Sequence, residues 1–133
     1  MNGSWTMSVL ETDLPQIENV SEDLFLGDAL TVHQPRSGYR AGTDAVLLAA
    51  TLAPELVGEE TVLDVGSGVG VVGLCVAARC LGARVVLLER EPKLAALARH
   101  NVDHNNLSAR VSVVETDISR ATGALDAAGI ASE

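Results

Sequence analysis

A chain of 133 residues, 47% of them hydrophobic and 20% charged, has the length of one domain and a composition that packs rather than stays disordered. Its formal charge of −9 repels phosphate backbones, and its nine Lys and Arg form no run, so tight autonomous binding of nucleic acid is not expected. Trp5, Phe25 and Tyr39 are the only aromatic residues, so the core must be aliphatic.

Residues 1–22 are polar and aperiodic and read as a flexible N-terminal tail, which leaves 23–133 for the folded domain. The start lacks the cationic and long apolar segments of a signal or transit peptide. No stretch approaches the ~20 apolar residues that span a bilayer. The expectation is a cytoplasmic protein without a membrane partner.

"LFLGDALTVHQ", residues 24–34, reads as a β-hairpin. Gly27-Asp28 is its turn, with Leu24 and Leu26 before it and Leu30 and Val32 after it at alternate positions. "PRSGYRAG" is a loop. "TDAVLLAATLAPE" is a helix capped by Thr43 or Asp44, with Pro54 past its end. Strand, helix, strand, helix, strand then follow. The first strand is Thr61–Val65, and the helix Val71–Leu81 ends at Gly82 as C-cap. Arg84–Glu89 is the second strand. Pro92–Asn105 is a helix with a buried stripe of Leu94, Leu97, Ala98 and Val102. Arg110–Glu115 is the third strand, and a loop with at most a short helix closes the chain. Cys75 and Cys80, five apart on one helix, face different ways and read as reduced apolar residues.

Alternation of strands and helices predicts an α/β fold, a Rossmann-like parallel sheet with strand order 3-2-1. Right-handed crossovers put both helices on one face. The helix from Thr43 joins them there, and the other face and the free edge of Thr61–Val65 stay uncovered. Either the chain is the first half of a longer domain, or it covers itself as a homodimer or a strand-exchanged dimer.

Two patterns overlap where the first strand ends. Gly68-Val-Gly70-Val-Val-Gly73 fits G-x-G-x-x-G, and Asp64-Val-Gly66-Ser-Gly68-Val-Gly70 fits D-x-G-x-G-x-G. Either presents bare backbone and a helix N-terminus to a ligand. A carboxylate at Asp64 is poorly placed beside a pyrophosphate and well placed beside a cationic amino group, as in S-adenosylmethionine. Glu89, 21 residues after Gly68, ends the second strand, where an acid accepts from ribose hydroxyls. That acid suits NAD and S-adenosylmethionine alike. Thr116-Asp117 follows the third strand, where an acid can meet an adenine amino group or simply make a turn. His100 and His104 share a helix face but lack a third ligand, so no metal is expected and they read as a solvated helix end. His33 stands alone. Ser67 is not in a Gly-x-Ser-x-Gly setting and is no hydrolase nucleophile.

Over residues 23–118, "FLGDALTVHQPRSGYRAGTDAVLLAATL", "VLDVGSGVGVVGLCVAAR", "LLERE", "LARHNVDHN" and "VVETDI" resemble the class I S-adenosylmethionine-dependent methyltransferases. In particular they resemble the bacterial branch that methylates adenine N6 in valine tRNA. The R-x-GTDAVLL segment and the Asn101/Asn105 pair are the more specific signals. The resemblance implies an enzyme with S-adenosylmethionine as cofactor and tRNA as partner. A release-factor glutamine or another RNA base remains open as acceptor. By resemblance, Gly66, Ser67, Gly68 and Gly70 line the methionine and ribose, and Asp64 orders that loop. Glu89 holds the ribose hydroxyls, Arg90 lies beside the adenine, and Asp117 meets its amino group. Arg40, Gly42, Thr43 and Asp44 close over the methionine end. The family's Asn-Pro-Pro-Tyr catalytic motif follows a fourth strand. This sequence has no Pro-Pro pair, which implies the cofactor half of the enzyme, inactive by itself.

Overall fold

A computed structural model describes residues 19–120, together with Gly123 and Asp126. Residues 1–18 of the tail assigned to 1–22, and the closing loop beyond residue 120, lie outside the described residues, apart from those two positions.

An antiparallel ribbon comes first, β1 (Val20–Phe25) against β2 (Leu30–Pro35). β1 starts inside the stretch read as tail. Its polar residues are held by the ribbon rather than by an apolar pattern: Ser21 donates from Oγ to Asp23 Oδ2 at 2.8 Å and to Gln34 O at 3.3 Å. The turn takes four residues, Leu26 to Ala29, with Leu26, Gly27 and Asp28 all at positive φ. Those four residues set the alternation, so Phe25 turns inward with Leu30 and Val32 while Leu24 is 56% exposed. The inward reading of Leu24 is thereby corrected, since a one-residue slip exchanges the faces of a strand, while Leu26 in the turn is half-buried against the core.

α1 (Thr43–Leu52) follows. Its N-cap is Gly42, and neither Thr43 nor Asp44 caps it. Asp44 sits in the first turn and folds back to accept the Gly42 N–H at 3.0 Å. A 3₁₀ turn, Ala53–Glu55, holds Pro54 in its first turn.

β3 (Thr61–Val65), α2 (Val71–Arg79), β4 (Arg84–Glu89), α3 (Pro92–His104) and β5 (Val111–Glu115) complete the described core. The three strands are parallel neighbours in the order β3-β4-β5. α2 ends at Cys80, not at Gly82, because the chain turns early. Gly82 is needed for close approach, since a Cβ there would stand 2.5 Å from Gly58 O. Arg110 secures this end, donating to Ala77 O, Cys80 O and Ala83 O at 2.8–3.1 Å.

One aliphatic core joins Val85, Leu87 and Val111 of the sheet to Val71, Leu74 and Cys75 of α2, Leu97, Ala98 and Val102 of α3, Ala45 and Ala49 of α1, and the ribbon. Burial pushes the Cys75 thiol up to about 11, so it stays an inert packing group. In α3 the fully buried set is Ala95, Leu97, Ala98 and Asn101, and Leu94 is half-buried at a cavity wall. Leu63 and Val65, on the opposite face of β3, are 40% and 52% exposed. No described helix is long and apolar enough to cross a membrane.

Candidate functional site

The carboxyl ends of three parallel strands, with the loops that leave them, form the site. Leaving β3, Gly66 and Ser67 both donate their N–H to Leu88 O, at 2.9 and 3.0 Å, which bends the loop over β4. Gly66, Gly68 and Gly70 have φ of +70°, +56° and +97°, conformations that residues with a Cβ rarely adopt. Gly70 also lies against Leu87, whose Cδ1 would stand 2.8 Å from a Cβ there. At Gly66 and Gly68 a Cβ would meet nothing within 4 Å.

Two carboxylates fix the loop from below. Asp64 Oδ2 accepts the Gly73 N–H at 3.1 Å in the first turn of α2. Burial raises the Asp64 carboxyl above its ordinary value. The Gly73 N–H opposes that shift, and the negative charge of Glu89 adds to it. Glu89, 8% exposed, spans two loops: Oε1 accepts the Gly68 N–H at 3.0 Å and Oε2 the Glu91 N–H at 2.8 Å.

Two cavities meet at Gly66. One, about 420 Å³, is lined by Asp64, Ser67, Gly68 and Tyr39 with apolar walls from Leu48, Val72 and Leu94. The other, about 230 Å³, is lined by Glu89, Arg90, Thr116, Asp117, Leu88 and Ile118. Asp117 Oδ1 accepts both the N–H and the Oγ–H of Ser119 at 2.9 Å, which holds its carboxyl below the ordinary value.

The structure thus brings Asp64, Gly66, Ser67, Gly68, Glu89, Arg90 and Asp117 together around one cleft. Arg40 is placed elsewhere. Its guanidinium donates to Ser21 Oγ, Pro35 O and Asp23 Oδ2 at 2.7–2.9 Å, so it anchors the loop after β2 to the ribbon. Gly42 and Thr43 start α1 outside the cavity walls, and Gly70 turns the chain without lining either cavity. Asp44 accepts from Tyr39 Oη at 2.8 Å. That bond pushes the phenol up and draws the exposed Asp44 carboxyl down, aided by the Gly42 N–H. Tyr39, Leu48 and Ile118 are wall residues that carry no spacing signal in the sequence, and Leu94, expected in the buried stripe of α3, is a wall residue too.

The histidines also differ from expectation. α3 packs on β2, and His33, His100 and His104 meet with ring centroids 4.8–5.6 Å apart. His33 Nε2 faces Glu22 Oε2 at 3.2 Å, and His33 Nδ1 faces His100 Nε2 at 3.1 Å. His33 is therefore not alone: it is buried against a half-buried His100, while His104 stays exposed at the helix end. No group of His, Cys, Asp and Glu among the described residues could hold a metal ion.

The sequence profile of the family described as "Methyltransferase small domain" matches residues 38–130. The chain is 35% identical over 98 residues to the tRNA1(Val) (adenine(37)-N6)-methyltransferase of Bacteroides fragilis (strain YCH46), covering 74% of this chain and 40% of the relative. It is 36% identical over 87 residues to the protein of that name from Shewanella loihica, covering 65% and 35%. The chain therefore spans well under half the length of these relatives. Among solved structures, Pyrococcus abyssi tRNA (uracil-54, C5)-methyltransferase in complex with S-adenosyl-L-homocysteine matches with a TM-score of 0.57 at 27% identity, covering 75% of this chain and 24% of the other. Pyrococcus horikoshii TYW2 in complex with MeSAdo shares the fold, with a TM-score of 0.63 at 19% identity over 77% of this chain and 38% of the other.

Proposed function

The chain belongs to the methyltransferase small domain family, and on that footing we propose that it forms the S-adenosylmethionine-binding half of a methyltransferase acting on an adenine amino nitrogen in tRNA. One observation carries the choice of cofactor: the loop N–H groups of Gly68 and Gly73, which a pyrophosphate would use, already bond to carboxylates. Two acids under the glycine loop repel a dinucleotide's phosphates and attract a cationic ligand.

The residues present fit such a ligand. Gly66 and Gly68 leave bare, unobstructed backbone between the two cavities. The larger cavity, with Asp64 and apolar walls, suits a cationic amino acid moiety with a thioether-like stem. The smaller one suits a nucleoside. Each Glu89 oxygen, having accepted one N–H, retains acceptor capacity for a ribose hydroxyl. Arg90 and Asp117 stand where an adenine would lie. Arg40 acts indirectly by tying the Pro35–Gly42 loop to the ribbon, and Asp44 does so through Tyr39.

Bound S-adenosylmethionine supplies the activated methyl group. This chain's residues contribute orientation and a negative field, because catalysis of such a transfer is mainly positioning. The acceptor rests on the tRNA adenine-N6 enzymes that the chain resembles. No Asn-Pro-Pro-Tyr element occurs in the 133 residues, so this chain by itself is proposed to bind and not to turn over.

Titration calorimetry of the chain with S-adenosylhomocysteine and with NADH tests the reading. Binding of S-adenosylhomocysteine alone is expected. Binding of NADH alone would assign a nicotinamide oxidoreductase, and binding of neither a non-catalytic module. Methyl transfer from labelled S-adenosylmethionine to tRNA by the full-length protein tests the acceptor. Label in a protein glutamine or in another base would replace it.

A further inference from the structure

Asn101 lies on α3 outside both cavities and is 0% exposed, yet it holds three backbone groups. Its Oδ1 accepts the His33 N–H at 2.8 Å. Its Nδ2 donates to His33 O at 2.9 Å and to Val69 O at 3.0 Å. Both amide protons and one acceptor site are thus used, which fixes the amide orientation.

One helical turn further on, Asn105 repeats half of this pattern. Its Oδ1 accepts the Thr31 N–H at 2.9 Å, and its Nδ2 donates to Thr31 O at 2.7 Å. The rise of four helical residues, about 6 Å, approximates the two-residue repeat of a strand, about 6.8 Å. The two side-chain amides therefore act as a surrogate strand along the edge of β2 that β1 does not pair. Here the residues diverge. The second amide proton of Asn105 returns to Asn101 O in its own helix, at 2.7 Å. That of Asn101 goes to Val69 O, between the left-handed Gly68 and Gly70.

Two peptides of the glycine loop, one apart, are consequently held from two sides, at the Gly68 N–H by Glu89 and at Val69 O by Asn101. Left-handed glycines have many alternative conformations, so such a loop needs external bonds to stay in one. We propose that Asn101 is the positioning residue of the ligand loop, fixing Val69 to the β2 edge so that Gly68 presents its backbone to the cleft in advance of binding. The proposal rests on the cofactor reading above and adds a residue that touches no ligand.

The experiment compares the wild-type chain, Asn101→Ser and Asn105→Ala, each below its own melting point. Both variants weaken the clamp on β2. The expected result is an S-adenosylhomocysteine Kd raised at least tenfold in Asn101→Ser and within twofold of wild type in Asn105→Ala. The Gly68 and Gly70 amide resonances should shift only in the first. A Kd within twofold in Asn101→Ser, or equal loss in both variants, overturns the proposal. Should Asn101→Ser fail to fold, wild type decides. Its Asn101 side-chain amide resonances must move on titration with S-adenosylhomocysteine while those of Asn105 stay, and immobility of both refutes the coupling. If wild type binds no S-adenosylhomocysteine, the cofactor reading falls separately. The loop clamp is then judged by the Gly70 amide in the two variants.

Discussion

Glu89→Gln separates a carboxylate from its isostere at a buried position where two acceptor oxygens are needed at once. Glu89 Oε1 takes the Gly68 N–H and Oε2 takes the Glu91 N–H, at 3.0 and 2.8 Å. Glutamine has one acceptor oxygen and an NH₂ group, so one of the two N–H groups must face a donor. A hydrogen bond to a charged group contributes roughly 1.5–3 kcal/mol, and the surviving bond falls to roughly 1 kcal/mol, so the variant should lose about 2–5 kcal/mol. For a chain of this size that is a fall in Tm of roughly 6–20 °C. The ribose contact weakens as well, and losing a charge-assisted bond there means about a 10–150-fold rise in Kd for S-adenosylhomocysteine. Thermal melts at pH 7 and calorimetry well below Tm measure both. Glu115 is the control: it stands opposite Glu89 in the strand register, is exposed, and pairs with the exposed Arg99 at 3.7 Å. Glu115→Gln should change stability by no more than about 1 kcal/mol. A Glu89→Gln protein melting within 2 °C of wild type would refute the two-acceptor argument. A large Tm loss with unchanged affinity would refute the ribose role.

Asp64→Asn keeps an acceptor for the Gly73 N–H and removes a buried charge. Because burial raises the Asp64 carboxyl, its ionised form opposes folding at neutral pH, and that penalty fades as pH falls through the raised value toward the ordinary one near 3.8. The variant should be the more stable protein at pH 7, lose that advantage below about pH 4, and bind S-adenosylhomocysteine at least tenfold more weakly, as melts across pH and calorimetry will read. Gly73→Ala should destabilise by up to about 2 kcal/mol in urea unfolding. Helix propensity favours alanine by about 1 kcal/mol, but its Cβ would run into Leu87 and stand 2.9 Å from Val85 Cγ1, an overpacking of about 1–3 kcal/mol. Arg110→Lys replaces a fork on three carbonyls at the end of α2 with a point charge. It should lower stability by about 2–4 kcal/mol and leave S-adenosylhomocysteine affinity unchanged, because those carbonyls lie at the end of α2 far from the glycine loop.

Local features were legible in the sequence because short-range physics sets them. Strand and helix periods place β3 through β5 within a residue or so, and glycine spacing together with the acids ending β3 and β4 locates the cleft before any contact is known. Tertiary structure decided what each polar group does with its bonds. The four-residue turn chose Phe25 over Leu24 as the inward side chain. Docking of α3 on β2 joined His33 to His100 across 67 residues and buried Asn101 between ribbon and glycine loop. The loop after β2 turned Arg40 onto Asp23 and away from the cavity. Such partners are far apart along the chain, and which of them meet depends on how packed elements sit against each other to within an ångström. Sequence period and spacing specify a face and a turn, but not that distance.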